Sequence, residues 1–262
     1  MIVLNPNERE RIRKLLRTVI ILMIVFVAVQ LIFKIAIVPN IVLKKIKVES
    51  DIELSDSEIR TIAGIETGLY YYNLDVDRIR ERLEDYPPVR KASVEKIFPD
   101  KLQLYLFGRK AVAQSVLNVK EKSVPVAIDR EGVVFEKGED MDNWDLPVIS
   151  GISFSSVQLG DGFPRPLLPL LEDLEQMREK ERALYDLISE IRVEKRGEQG
   201  YDLILFLHSY PLKARTGRDL NGDVLKNIIM VFDVLKQQKL TEKIGEVDFR
   251  SKEIIYRLRE EV

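Results

Sequence analysis

His208 is the one imidazole in the chain, and imidazole is the side chain best suited to moving a proton near neutral pH. With Ser209 and Tyr210 beside it, the chemistry to consider is general-base help to a hydroxyl nucleophile. Such chemistry needs a fixed constellation, and no wording for one is present. The chain has no Gly-x-Ser-x-Gly, Ser-x-x-Lys or His-Glu-x-x-His pattern and no glycine-rich phosphate loop. A position beside a predicted turn marks His208 as a surface or strand-end residue. Carboxylates abound, 43 Asp and Glu against 41 Lys and Arg, but stretches such as Glu172 to Arg182 interleave the signs as solvated helix faces do. Cysteine is absent, which removes disulfides and thiolate metal sites. A net charge of -2 without clustered Lys and Arg gives no footprint for nucleic acid. The expectation is a protein that is not an enzyme, with no cofactor, no metal and no small-molecule substrate.

Two aromatic features have a contact chemistry instead. Tyr70-Tyr71-Tyr72 is expected to pack two rings between a strand and helices and to leave one exposed; the sharper alternative is a contact patch. Trp144, just before Leu146-Pro147, is expected to anchor a loop on a sheet.

The elements that position these residues begin with a membrane-length run. Val19 to Val38 is apolar except for Gln30 and Lys34, and about twenty residues at about 1.5 Å each match the hydrocarbon thickness of a bilayer. Arg9, Arg11, Arg13, Lys14 and Arg17 precede it, and Lys44, Lys45 and Lys47 follow. The positive-inside rule then keeps residues 1–18, read as a disordered tail, in the cytoplasm and sends the rest outside. Bulky residues at Ile35-Ala36-Ile37-Val38-Pro39 argue against a cleaved signal peptide.

Beyond the Pro39-Asn40 joint, Val42 to Glu49 alternates like a half-buried strand. Ser55-Asp56-Ser57-Glu58 is a capping box, Asp75 caps a second short helix, and Pro87-Pro88 stops it. Val89 to Phe98 and Leu102 to Leu106 form a hairpin around Phe98-Pro99-Asp100-Lys101. From Ala111 the chain is mostly strand, with a hairpin at Arg130-Glu131-Gly132 and another at Gly197-Glu198-Gln199-Gly200. Amphipathic helices are expected over Pro166 to Lys180 and Asn221 to Gln238, the second with Val224, Ile228, Val231, Phe232 and Leu235 inward. Two strands close the sequence, Lys243 to Arg250 and Ile254 to Arg259, joined at Ser251-Lys252-Glu253. The fold class is α+β.

This order of segments resembles the bacterial cell-division family FtsQ, called DivIB in Gram-positive bacteria. The wording is similar too. Tyr86 to Leu106 (YPPVRKASVEKIFPDKLQLYL) resembles the family's hairpin segment, and Arg109-Lys110-Ala111-Val112-Ala113 its domain junction. VAIDREGVVF, LPVISG, Ile188-Ser189-Glu190-Ile191 and Val247-Asp248-Phe249-Arg250 resemble its later strands. Gly108, Ala111 and Ser251 depart from the usual acid, proline and aromatic. The resemblance implies a cytoplasmic tail (1–18), a transmembrane helix (19–38), a POTRA domain of β-α-α-β-β order (41–110) and a β-rich domain (111–262).

It also implies a non-enzymatic scaffold of the division site, single-pass in the cytoplasmic membrane. Its partners would be FtsB-like and FtsL-like single-span proteins, and it would link early ring components to septal peptidoglycan synthesis. POTRA modules bind polypeptides, often by strand addition, and the last strand offers the same device. Ile254, Ile255, Tyr256 and Leu258 are β-prone without proline, so an edge position would leave backbone groups free for a partner strand. Arg250, Ser251 and Glu253 before it complete the expected partner surface, Arg250 through a charge-assisted contact. The alternatives are a POTRA-type chaperone or translocation partner and a membrane-anchored cell-wall hydrolase.

Overall fold

The computed structural model describes residues 6–37, 41–66, 68–119, 122–138, 141, 144–152, 158–197, 200–251 and 253–259. The Pro39-Asn40 joint and the 198–199 tip of the second hairpin lie outside them. The chain divides into two compact units, one of residues 1–84 and 91–107, the other of residues 85–90 and 108–262.

The first unit opens with helix α1, Pro6–Ile32, extended by a π-helical turn, Phe33–Ile37. Helix therefore reaches well into the segment expected to be a disordered tail. Pro6 at its first position explains the early start, because a fixed φ suits the first turn and no N–H is lost from the ladder. Within α1 and its continuation, Glu10–Ile35 is long and apolar enough to cross a membrane.

After it come β1 (Lys45–Ser50), α2 (Asp56–Ala63), α3 (Val76–Glu84), β2 (Val89–Ile97) and β3 (Lys101–Gly108). The sheet order is β1-β3-β2, with β1 parallel to β3 in register Lys45↔Lys101 through Ser50↔Leu106. The capping box forms as spaced: Ser55 Oγ accepts from Glu58 N, and Ser55 N donates to the Glu58 carboxylate at 2.9 Å. Ile59 and Ala63 of α2, Ile79 and Leu83 of α3, and Ala92, Leu102, Leu104 and Leu106 of the strands are buried. Period three and four on the helices and period two on the strands thus turn an apolar face of each element inward, while Gln103, on the other face of β3, is also buried and donates to Glu49 Oε1 at 3.3 Å. Between the helices, Tyr71–Asn73 is a single 3-10 turn. Successive side chains on such a turn fan out by about a third of a circle, so only one can point inward. Tyr71 is 5% exposed, while Tyr70 and Tyr72 are 46% and 44% exposed, which reverses the expected two buried rings and one exposed.

The second unit contains β4 (Ala111–Val119), β5 (Lys122–Asp129), β6 (Val134–Lys137), β7 (Val148–Ser150), α4 (Leu168–Lys180), α5 (Arg182–Tyr185), β8 (Ile188–Arg196), β9 (Gly200–Leu207), β10 (Lys213–Thr216), α6 (Gly222–Gln237), β11 (Ile244–Asp248) and β12 (Ile255–Leu258). Among the described residues the strands make one sheet in the order β12-β11-β10-β9-β8-β7-β4-β5-β6. Leu167, Leu170, Leu171, Leu174 and Met177 join Leu203, Leu205, Leu207, Ala214 and Val247 in a single core. On α6 the deepest residues are Leu225, Ile228 and Phe232; Val224, Val231 and Leu235 flank them half-buried. The expected stripe was therefore right in period and off by one residue at its start.

Local signals set the turns. At the β5–β6 hairpin Gly132 has φ +79°, a left-handed conformation that a side chain strains and glycine adopts freely. Asp129 Oδ1 accepts from the amides of Glu131 (3.0 Å) and Val133 (2.8 Å), which holds the chain reversal. The expected Trp144 anchor is not the ring, which is 54% exposed; Gln114 donates instead to the carbonyls of Trp144 (3.1 Å) and Leu146 (2.8 Å). Asn221 caps α6 by accepting from Val224 N at 3.0 Å. Asn221→Ala should therefore cost about 1 kcal/mol in urea unfolding, and an unchanged midpoint would show the cap to be redundant.

Candidate protein-interaction edge

β12 stands at one end of the sheet order and pairs antiparallel with β11: Ile255↔Asp248, Tyr256↔Val247, Arg257↔Glu246 and Leu258↔Ile244. Gly245 is the extra residue of a bulge on β11, so β12 keeps its regular alternation. Arg259 N donates to Lys243 O at 2.9 Å. Counting back in steps of two, the amides of Arg257 and Ile255 face β11, and those of Leu258 and Tyr256 face the open side. The side chains add an exposed apolar surface: Ile254 45%, Ile255 57%, Tyr256 59% and Leu258 66%. Ile254 precedes the paired strand rather than starting it.

Arg250, Ser251 and Glu253 lie where the chain turns from β11 into β12. The Arg250 guanidinium donates to Asp248 at 2.9 Å and to Asp202 Oδ2 at 2.7 Å. Ser251 Oγ donates to Glu253 O at 2.6 Å, which closes the turn on itself. Arg250 thus holds the turn against β9 with a charge that is already partnered.

Behind the edge, on the sheet face opposite α6, lies an ion-pair lattice that the sequence reading missed. Arg215 on β10 donates Nε to Glu246 Oε1 (2.6 Å) and an Nη to Glu194 Oε2 (2.7 Å), and lies 3.9 Å from Asp202. Arg257 of β12 comes within 3.9 Å of Glu246. A trace of this was visible in the alternation of charged with apolar residues along Lys213 to Thr216 and Glu246 to Asp248, although pairing across strands cannot be read from one strand. The hydrogen bond to Glu246, followed by that to Glu194, holds the Arg215 guanidinium above its ordinary pKa despite burial.

The hydrogen bond from Arg250 holds the Asp248 carboxyl below the usual carboxylate range. A depressed folded-state value gives stability that is fully present above the unfolded value of about 3.9 and is lost as pH falls through the folded one. The stability difference between the wild type and Asp248→Asn should accordingly be largest at neutral pH and close in acid. Equal differences in urea titrations at both pH values would exclude the linkage.

Of the residues beside His208 in sequence, Tyr210 directs its hydroxyl to Asp233 Oδ1 at 2.8 Å. His208 is exposed, beside a small hollow of about 170 Å³ lined by Trp144, Tyr185 and Ser189 among others. The Ser189 hydroxyl donates to Phe206 O at 3.0 Å, and Tyr185 OH donates to Val112 O at 2.9 Å. Among the described residues no group of three or more His, Asp or Glu could hold a metal ion.

Among the described residues, one long apolar helix is followed by a three-stranded, two-helix module and a strand-rich unit, and the module is of the POTRA class. Residues 42–107 match the family described as POTRA domain, FtsQ-type. Beyond that module, the chain is similar to curated cell-division proteins named FtsQ and DivIB. It is 24% identical to the cell division protein FtsQ of Syntrophotalea carbinolica over 79% of its own length and 68% of that protein. It is 25% identical to the FtsQ of Geotalea daltonii over 81% and 74%. Similarity extends to the cell division protein DivIB of Clostridium botulinum, 24% over 59% and 57%. These relatives are named for cell division and not for an enzymatic activity.

Proposed function

We propose that the protein is a non-enzymatic scaffold of bacterial cell division, held in the cytoplasmic membrane by α1 with its bulk outside. The basic residues before the apolar run support this orientation. The observation that carries the scaffold reading is the β12 edge, a short apolar strand with outward amides at Tyr256 and Leu258. An extended segment of another division protein adds there as a further strand, its backbone giving affinity and alternate side chains giving specificity. Single-span FtsB-like and FtsL-like proteins are the partners this reading favours, and through them the chain ties early ring components to septal wall synthesis. Arg250, Ser251 and Glu253 act by fixing the turn that presents the strand.

A photo-crosslinking side chain at Tyr256, in dividing cells, tests the reading. Capture of a single-span division protein, lost when residues 254–259 are deleted, is the expected result. Equal capture from a crosslinker placed at Lys137 on β6, at the other end of the sheet, would sink it, as would release of soluble fragments from purified peptidoglycan. A reporter joined after Val262 should be active only outside the cytoplasm.

A further inference from the structure

We propose that the end of the POTRA domain nearest α1 seats on the lipid headgroup layer, through Tyr70, Tyr72, Ile97 and Phe98. The inference rests on reading α1 as a membrane span. Three segments converge at that end. Tyr71 N donates to Ile41 O (2.7 Å), Leu43 N to Leu69 O (2.9 Å) and Lys44 N to Asp100 O (3.0 Å), with a bridge between Val42 and Tyr70. The residues where the chain enters the domain therefore lie among the tyrosines and the β2–β3 turn.

The surface formed there is apolar and amphipathic. Tyr70 (46%), Tyr72 (44%), Ile97 (42%) and Phe98 (58%) are exposed. The rings of Tyr72 and Phe98 stand edge-on to buried Tyr71, with centroids at 5.2 and 6.5 Å. Lys96 Nζ lies 5.8 Å from the Tyr71 ring centre and 3.4 Å from Tyr72 O. An aromatic body with a polar tip and a lysine beside it is the side-chain mixture that bilayer interfaces favour. The exposed faces of α2 and α3 carry charges instead, among them Asp56, Arg60, Asp77 and Arg80.

Chain length leaves the patch little choice of surroundings. Three residues, 38–40, join Ile37 to Ile41, and four Cα steps reach at most about 14 Å. The headgroup region on one side of a bilayer is about 5–8 Å thick. A patch tethered this closely to the outer end of a span lies at or just above the headgroups. Charge does little of the work: Lys44, Lys45, Lys96 and Lys101 are opposed by Asp100, paired with Lys44 at 3.8 Å, and by Glu66 and Glu95, each within a few residues of the patch in sequence. Seating should therefore persist on zwitterionic lipid.

The absence of cysteine permits a direct test on the full chain in phosphatidylcholine vesicles. Fluorophores are attached at Val29→Cys in α1, at Asn73→Cys beside the patch, or at Glu53→Cys beyond the opposite end of β1. Quenching is then read with lipids carrying a nitroxide at the acyl chain or at the headgroup. The label at 29 should be quenched from the acyl chain, and that at 73 by headgroup nitroxide about threefold or more above that at 53. Replacing exposed Tyr70, Tyr72 and Phe98 by serine should bring 73 down to the level of 53 and leave 29 unchanged. Equal quenching at 73 and 53, or no effect of the serines, would overturn the seat, as would shielding of 73 only when a protein partner is added. No quenching at 29 would instead remove the membrane reading of α1, and the seat with it.

Discussion

Tyr256→Pro should weaken capture of the partner strand about ten- to hundredfold while leaving the sheet intact. The amide of Tyr256 faces the open side of β12, so proline removes a donor to the partner and leaves a partner carbonyl unsatisfied, a loss of about 1–3 kcal/mol. Ile255→Pro, one residue away, should act differently, because its amide faces β11. There the loss falls on the β11–β12 ladder, and the strand should detach from Asp248 and Val247 with a visible loss of hydrogen-exchange protection in β11. Tyr256→Ala keeps the amide and separates the ring's contribution from the backbone's. Undiminished partner binding in both proline variants would rule out strand addition at this edge.

Arg215→Leu should be the costliest single change behind the edge, about 3–5 kcal/mol in urea or thermal unfolding followed by circular dichroism. The Arg215 side chain is 11% exposed, and the Glu246 carboxylate it serves is 14% exposed. Removing the guanidinium leaves that carboxylate with Arg257 at 3.9 Å as its remaining cation. The Coulomb attraction between the pair offsets desolvation only while both are present, so the double variant Arg215→Leu with Glu246→Leu should recover much of the loss. A single-variant loss below about 1 kcal/mol would place this pair with exposed surface ion pairs.

Much of the architecture was legible because it rests on local periodicity. The stripe from Leu167 through α4 to Met177, the Ser55 capping box and the Leu102, Leu104, Leu106 face of β3 each encode burial within a few neighbouring residues and formed as spaced, whereas on β2 Val94 stays only half-buried beside Ala92. What failed to show in the sequence depends on distant partners. Arg250 read as a free cation for a partner because nothing near it in the sequence shows Asp202 arriving from β9 at 2.7 Å. The tyrosine triplet was misjudged because a 3-10 turn and a strand place consecutive rings differently, and the sequence did not decide between them. The open edge itself was legible only in part: Ile254 to Leu258 reads as a strand, but its terminal place in the sheet follows from the parallel pairing of β10 with β11 across α6.

The four side chains of β12 are all exposed, which separates two pressures that most residues feel together. A core position such as Leu205 must satisfy its neighbours before it can serve any other end, so its identity is inherited slowly. Apart from the Arg257 contact with Glu246, residues 255–258 contribute no buried side chain, and the backbone ladder to β11 accepts almost any side chain but proline. If a partner strand adds at this edge, as proposed, their identities are free to follow that partner's changes from lineage to lineage without endangering the fold. Two such pairs in one cell could diverge into mutually deaf complexes by substitutions confined to this short strand.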